Sequence, residues 1–210
     1  MGWYADHVFP WILERAEGPE VHRWRDEVVR PARGDVLEIG FGTGKTLPSY
    51  TEAVTSLTIV EPSTAMSGRA AQALAHAPFP THMHPLQAER LPFDDAQFDA
   101  VVCTMTLCSV DHPADVLSEL MRVLRPGGRF HFLEHVVSTN PAVRRWQTLL
   151  NPLQRVLACG CNYTRDTEAS IRAAGFDVER LDRRTSKDMP IPHHALYPVI
   201  LGVARKPLAP

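Results

Sequence analysis

The stretch Val36-Leu37-Glu38-Ile39-Gly40-Phe41-Gly42-Thr43-Gly44-Lys45 constrains this chain more than any other, because an apolar run leads straight into three alternate glycines. Val-Leu-Glu-Ile is apolar enough for a central parallel strand covered on both faces. Alternate glycines let the backbone turn without a Cβ and approach a ligand closely, so the junction predicts a nucleotide-like cofactor at this point. The spacing is G-x-G-x-G rather than G-x-G-x-x-G, and the acidic Glu38 stands two positions before the first glycine. That departs from the dinucleotide fingerprint and disfavours phosphate as the ligand of the turn.

Around the junction, apolar positions alternate between strand and helix spacing. Residues 3–16 and 19–30 read as helices, the second opening at Gly18-Pro19 with Val21, Trp24 and Val28 on one face. The sequence then predicts strands at Asp35–Ile39, Leu57–Val60, Thr81–Leu86, Phe98–Cys103 and Arg129–Leu133. Between them it predicts helices from Gly44 to Tyr50, from an N-cap at Ser63, and over Pro113–Leu124. Pro126-Gly127-Gly128 reads as the turn into the fifth strand. This alternation implies α/β architecture, a Rossmann-like doubly wound and mostly parallel sheet. Beyond residue 137 the rhythm changes. A helix bearing Trp146, Leu149, Leu150 and Leu153 is expected to break at Pro152, another runs over Asp166–Ala174, and strands Val178–Arg183 and Tyr197–Arg205 can close the sheet antiparallel.

The chain has 210 residues, 44% hydrophobic, and a formal charge of -2, which suits one ordinary domain. Basic and acidic residues are interspersed, so no broad positive field exists to hold nucleic acid. No apolar run approaches the roughly 20 residues of a membrane span, and the N-terminus lacks a basic segment followed by an apolar one. A cytoplasmic chain is expected, with peripheral membrane contact left open. Cys103, Cys108, Cys159 and Cys161 read as reduced thiols, because Cys159-Gly160-Cys161 lacks the two-residue spacer of the usual redox and zinc motifs. His82-x-His84 and His193-His194 have no carboxylate or Cys at ligand spacing, so they read as loop histidines and no metal is expected.

Five segments occur in order: Leu37–Gly44, Ile59-Val60-Glu61-Pro62-Ser63, Ala88-Glu89-Arg90-Leu91-Pro92-Phe93, Phe98–Val102 and Arg122-Val123-Leu124-Arg125-Pro126-Gly127-Gly128. Together they resemble the class I S-adenosylmethionine-dependent methyltransferases. The resemblance implies a seven-stranded sheet with an antiparallel C-terminal hairpin and S-adenosylmethionine as methyl donor. It divides the single domain into a helical lid at 1–33, a cofactor-binding core at 34–136, and acceptor-side helices with the closing hairpin at 137–210. Cys103–Val110, Phe132–Val136 and Cys161-Asn162-Tyr163-Thr164-Arg165 further resemble the thiol methyltransferase branch and its bacterial relatives, often labelled phospholipid or quinone methyltransferases.

Carried onto this chain, the resemblance puts Gly40, Gly42 and Gly44 against the methionine moiety and Glu38 near its ammonium. Glu61 accepts from the ribose hydroxyls, and Pro62 fixes the chain beyond it. Gln87, Ala88 and Glu89 face adenine, while Thr104 and Leu107 line the pocket between adenine and the reacting methyl. His135 is the expected base for a thiol acceptor, with Glu134 as its orienting partner. Trp3, Tyr4, Phe9, Trp11, Trp146 and Tyr163 are aromatic candidates for a lid, and Asn162 and Arg165 are expected to be structural. The acceptor is expected to be a small, apolar molecule, with a thiol favoured. Phospholipid headgroup N-methylation, quinone-precursor C-methylation and a non-catalytic cofactor-binding module are the alternatives.

Overall fold

A computed structural model describes residues 3–185 and 197–208. Pro190, Pro192, His193 and His194 lie outside the described residues. Three helices, α1 (Trp3–His7), α2 (Phe9–Ala16) and α3 (Pro19–Val29), precede the first strand. The sequence had suggested one helix over 3–16, but Pro10 sits in the first turn of α2, where its missing N–H and fixed φ favour a fresh start. The strands are β1 (Gly34–Ile39), β2 (Val54–Val60), β3 (Thr81–His84), β4 (Phe98–Thr104), β5 (Leu124–His135), β6 (Asp177–Thr185) and β7 (Pro198–Arg205). They form one seven-stranded sheet in the order β3-β2-β1-β4-β5-β7-β6. The first five pair parallel, and β7 runs antiparallel to both β5 and β6.

The remaining helices are α4 (Thr64–Leu74), α5 (Pro113–Val123), α6 (Pro141–Leu157) and α7 (Thr167–Ala173). Ser63 caps α4 by accepting from Met66 N–H, and Asp166 caps α7 by accepting from Ala169 N–H. Strand alternation sends Leu37 and Ile39 into a core with Val116, Leu117 and Leu120 of α5 and Ile171 of α7. Val36 points the other way, towards Val29, Tyr50, Ile59 and Ala70. Trp24 and Val28 of α3 pack on Leu133, Val199 and Leu201. Both faces of the sheet are thereby covered.

Four further elements differ from the sequence reading. The helix expected over Gly44–Tyr50 is only a 3₁₀ turn, Leu47–Ser49, because Gly44 adopts φ +86° and Pro48 cannot donate to a longer ladder. β3 stops at His84, after which Leu86 N–H turns back onto the His84 carbonyl, and His84 packs edge-on against Phe93. His82 and His84 therefore belong to a strand. Pro126-Gly127-Gly128 falls inside the long β5 as a bulge: Gly127 has φ +78°, the pairing with β4 jumps from Leu124 to Arg129, and Gly127 and Gly128 exchange backbone hydrogen bonds with Lys206. α6 runs through Pro152, whose missing N–H deprives only the carbonyl of exposed Thr148, which water can serve. No helix among the described residues is long and apolar enough to cross a membrane. α6 nevertheless carries an exposed apolar stripe of Trp146, Leu149, Leu153 and Val156.

One core group gives the fold a pH signature. His131 on β5 is 1% exposed, and burial holds its imidazole at about 4 against an ordinary 6.5, despite a bond to the Val28 carbonyl. The unfolded chain takes up this proton near 6.5 and the folded chain only near 4. The native state is therefore at full advantage above pH 6.5 and loses about 3 kcal/mol as pH falls through this window. Urea midpoints at pH 7 and pH 4 for the native chain and His131→Leu check this. The variant should lose about 3 kcal/mol less on acidification, and equal losses would show that His131 is charged in the fold.

Candidate functional site

A cavity of about 430 Å³ opens at the carboxyl ends of β1, β2, β3 and β4. This is where the strand order reverses, the position at which open α/β sheets bind ligands. Gly40, Gly42, Glu61, Pro62, Gln87, Ala88, Glu89 and Thr104, all predicted from the sequence, line it. A Cβ on Gly40 would run into the Thr106 side chain, whereas one on Gly42, at φ +59°, would meet no protein atom within 4 Å. Gly42 thus leaves its space to a ligand.

Glu61 is the best-held of these groups. Its Oε2 accepts from Gly42 N–H and its Oε1 from Ser63 N–H, both at 2.8 Å, so the carboxylate joins the end of β2 to the glycine turn. Burial pushes its pKa up, opposed by these two N–H donors. Each oxygen has a lone pair to spare, which suits a vicinal diol such as ribose.

Glu38 stands behind the cavity wall rather than in it, wholly buried, because β1 directs it to the same side as Val36. Its Oε2 accepts from Thr46 Oγ1 at 3.0 Å and Tyr50 OH at 2.8 Å. Burial pushes the carboxyl up to about 7. Its Oε1 has no hydrogen-bond partner among the described residues, leaving one buried acceptor for a cation. Gly44 lies off the cavity wall and supplies packing, since a Cβ there would press on Phe41 and Ala70 at 3.1 and 3.3 Å. Leu107 is fully buried in the core, because the chain after Thr104 turns inward and presents Thr106 to the cavity instead.

The two expected catalytic groups are likewise outside the cavity wall. Glu134, with no exposed surface, accepts from the N–H groups of Thr106 and Leu107, both at 2.9 Å, and of Cys108 at 3.0 Å. It does not orient His135, because adjacent residues on β5 project to opposite faces. Burial pushes its carboxyl up, and the three N–H donors draw it back. Arg165 meets the same loop, donating to the carbonyls of Leu107 and Val110. Glu134 and Arg165 thus hold the loop after β4 by its donors and its acceptors respectively. Asn162 folds locally, its Oδ1 accepting from Thr164 N–H and Oγ1. His135 faces Cys161 and Cys108, its Nδ1 lying 3.6 and 4.0 Å from their sulfurs. All four cysteines are free thiols.

Sequence reasoning missed a basic group in the cavity wall. Arg25 is 4% exposed and shares Glu17 with Lys45, at 2.8 and 3.0 Å. Burial alone would raise the Glu17 carboxyl, but Arg25 and Lys45 together hold it below the usual range. Arg25 Nε and Nη1 have no partner among the described residues. These unmet guanidinium donors suit a ligand carboxylate. In the sequence Arg25 is one residue past Trp24 on an amphipathic helix, where an arginine normally reads as solvent-facing; its burial follows only from the docking of α3.

Ala5, Phe9, Met105, Val110 and Ala158–Gly160 supply a less polar part of the wall. Met105 and Cys159 have φ of +57° and +45°, and strained non-glycine residues of this kind cluster at ligand sites. Of the expected aromatic lid only Phe9 lines the cavity; Trp3, Trp11 and Trp146 are 70%, 52% and 58% exposed, and Tyr163 is buried. Tyr4 ties α1 to the end of α6 through a 2.7 Å bond to the Leu157 carbonyl.

Residues 37–132 match the model of a family described as a methyltransferase domain. Thiol S-methyltransferase TMT1A of Homo sapiens is 31% identical over 97% of this chain and 88% of its own length. Thiol S-methyltransferase TMT1B of Homo sapiens is 30% identical over 81% of this chain and 70% of its own. Among solved structures, geranyl diphosphate methyltransferase in complex with SAM superposes with a TM-score of 0.69 at 16% identity, covering 98% of this chain and 91% of that one.

Two outcomes test the geometry. Arg25→Met should weaken binding of S-adenosylhomocysteine roughly ten- to hundredfold, the worth of a charge-assisted bond. Affinity for methylthioadenosine, which lacks the amino-acid moiety, should be unchanged, and calorimetry on both ligands decides. Glu134→Gln puts an amide donor against backbone N–H groups. It should lower unfolding free energy by about 2–3 kcal/mol in urea titrations, and a smaller loss would mean that the loop does not need the carboxylate.

Proposed function

This chain belongs to the class I S-adenosylmethionine-dependent methyltransferases, and on that premise we propose that its acceptor is a small, largely apolar thiol. When bound, S-adenosylmethionine supplies an electrophilic methyl group that passes in line to a nucleophile. Glu61 would hold the ribose, with the open face of Gly42 giving the ligand room. Arg25 would take the methionine carboxylate, while Glu38 balances the ammonium from behind the wall. Gln87, Ala88 and Glu89, on the segment after β3, would meet the adenine edge. Thr104 ends β4 and Thr106 comes from the loop held by Glu134 and Arg165, so their backbone keeps its position without help from the ligand.

An in-line displacement asks chiefly for alignment and exclusion of water, and a wall pinned by Glu134 and Arg165 serves the alignment. A thiolate is a strong nucleophile and is appreciably populated near its pKa of about 8.5, so the transfer needs little proton abstraction by the protein. His135 is assigned no such step, since its Nδ1 faces two cysteine sulfurs and its ring is absent from the cavity wall. The observation that carries the thiol reading is the apolar wall of Ala5, Phe9, Met105 and Val110 beside the charged cofactor groups, in a chain whose similar relatives bear the name thiol S-methyltransferase.

The test is a panel of alkyl and aryl thiols, phenols, amines, quinols and phosphatidylethanolamine vesicles with labelled methyl donor. Thiols should be methylated, with turnover rising as pH approaches the acceptor's own pKa. Methylation confined to quinols or to vesicles would overturn the thiol assignment. Tight donor binding with no turnover on any acceptor would turn the reading to a cofactor-binding module.

A further inference from the structure

We propose that Cys108, Cys161 and His135 form a binding site for one thiophilic divalent cation, with Zn²⁺ as the fitting ion. The three residues lie far apart in the chain, on the loop after β4, on the segment between α6 and α7, and at the end of β5. Folding brings their donor atoms within 4.8 Å of one another. The sulfurs are 3.7 Å apart, and Nδ1 of His135 lies 3.6 Å from Cys161 Sγ and 4.0 Å from Cys108 Sγ. In a tetrahedral zinc site with Zn–S of about 2.3 Å and Zn–N of about 2.0–2.1 Å, the corresponding edges are about 3.8 and 3.6 Å. The triangle is therefore already close to that size, with one edge a few tenths of an ångström long. It is also far wider than a disulfide, whose sulfurs are about 2.05 Å apart.

The donors are held from outside the triangle, as ligands of a preformed site must be. Cys108 is fixed on both sides of its backbone, its N–H donating to Glu134 and its carbonyl accepting from Asn162 N–H. Cys161 N–H donates to the Ala158 carbonyl, and Tyr197 packs edge-on against His135. Tyr197 OH also donates to Gln154 Oε1 at 2.7 Å, which turns the amide nitrogen of Gln154 towards Cys161. Gly160, at φ +100°, allows the Cys159-Gly160-Cys161 turn to press on Ser109, where a Cβ would meet the Ser109 carbonyl at 2.9 Å.

Two sulfurs and an imidazole nitrogen select zinc over magnesium or calcium, which require oxygen. No fourth Cys, His or carboxylate joins the group among the described residues. The ion would therefore keep one coordination position for water or an exogenous ligand. Loading releases the two thiol protons to solvent, with no change of oxidation state. Ser109 and Gly160, next to Cys108 and Cys161 in the chain, line the cavity, so the ion would brace the wall from behind. The sequence concealed all this, because the ligands fall in three segments with no zinc-type spacing.

The test titrates Co²⁺ and then Zn²⁺ into the reduced, chelator-treated full chain. One Co²⁺ per chain should bind with thiolate charge-transfer absorption and the intense d–d bands of a tetrahedral site, and Zn²⁺ should displace it. Cys108→Ala, His135→Ala and Cys161→Ala should each weaken zinc binding at least about a hundredfold, while Cys159→Ala should retain it. Binding of S-adenosylhomocysteine checks that each variant is folded; should one fail, the spectrum of the native chain decides alone. The proposal is overturned if the native chain, with its thiols shown to be free, gives no tetrahedral thiolate spectrum. Retention of the metal by all three folded variants would overturn it equally. Neither readout depends on which acceptor is methylated.

Discussion

The loop after β4 is held by two side chains that share out its backbone groups. Glu134 takes the N–H groups of Thr106, Leu107 and Cys108, and Arg165 takes the carbonyls of Leu107 and Val110. An irregular segment beside a cavity cannot satisfy its amides through a sheet ladder, and leaving them unpaired in a buried place would cost about 1–3 kcal/mol each. A buried carboxylate is normally expensive, yet here it replaces several unmet donors at once. The consequences spread outward. The clamp sets Thr106 against Gly40, leaves Met105 in a left-handed conformation on the cavity wall, and brings Cys108 beside His135 and Cys161.

The opposite wall follows a similar rule with other partners. Glu61 is anchored by Gly42 and Ser63, so the tip of β2 and the glycine turn form one unit. Glu38 is anchored by Thr46 and Tyr50 and carries an unmet oxygen, while Arg25 carries unmet nitrogens. The unmet nitrogens of Arg25, which lines the cavity, suit a ligand carboxylate, whereas Glu38, buried behind the wall, would act on a ligand cation through charge rather than a direct bond.

Much of this was legible in the chain. Strand-type and helix-type periodicity along the five motifs reveals the parallel core and its order, because each strand must bury both faces and each helix one. Gly40, Gly42, Glu61, Pro62, Gln87, Ala88, Glu89 and Thr104 are readable as cavity residues because all lie at or shortly beyond the carboxyl ends of strands of one sheet. Leu107 and Gly44 were assigned to the cavity and belong to packing, since a motif names a segment without telling which way each side chain turns within an irregular loop. Glu134 and His135 were joined as a pair because they are neighbours in sequence. On an extended strand neighbours diverge, and the two serve different clusters.

The sequence by itself determined the sheet, the glycine turn and the methyl-donor family, because these rest on local pattern: apolar period, backbone freedom at glycine, and acids at strand ends. The tertiary structure alone decided the burial of Arg25 against the cavity, the service of Glu134 to a loop rather than to an imidazole, and the meeting of Cys108, His135 and Cys161. Each of these depends on how separate elements dock, and docking is set by packing across the whole core, which no single stretch of residues records.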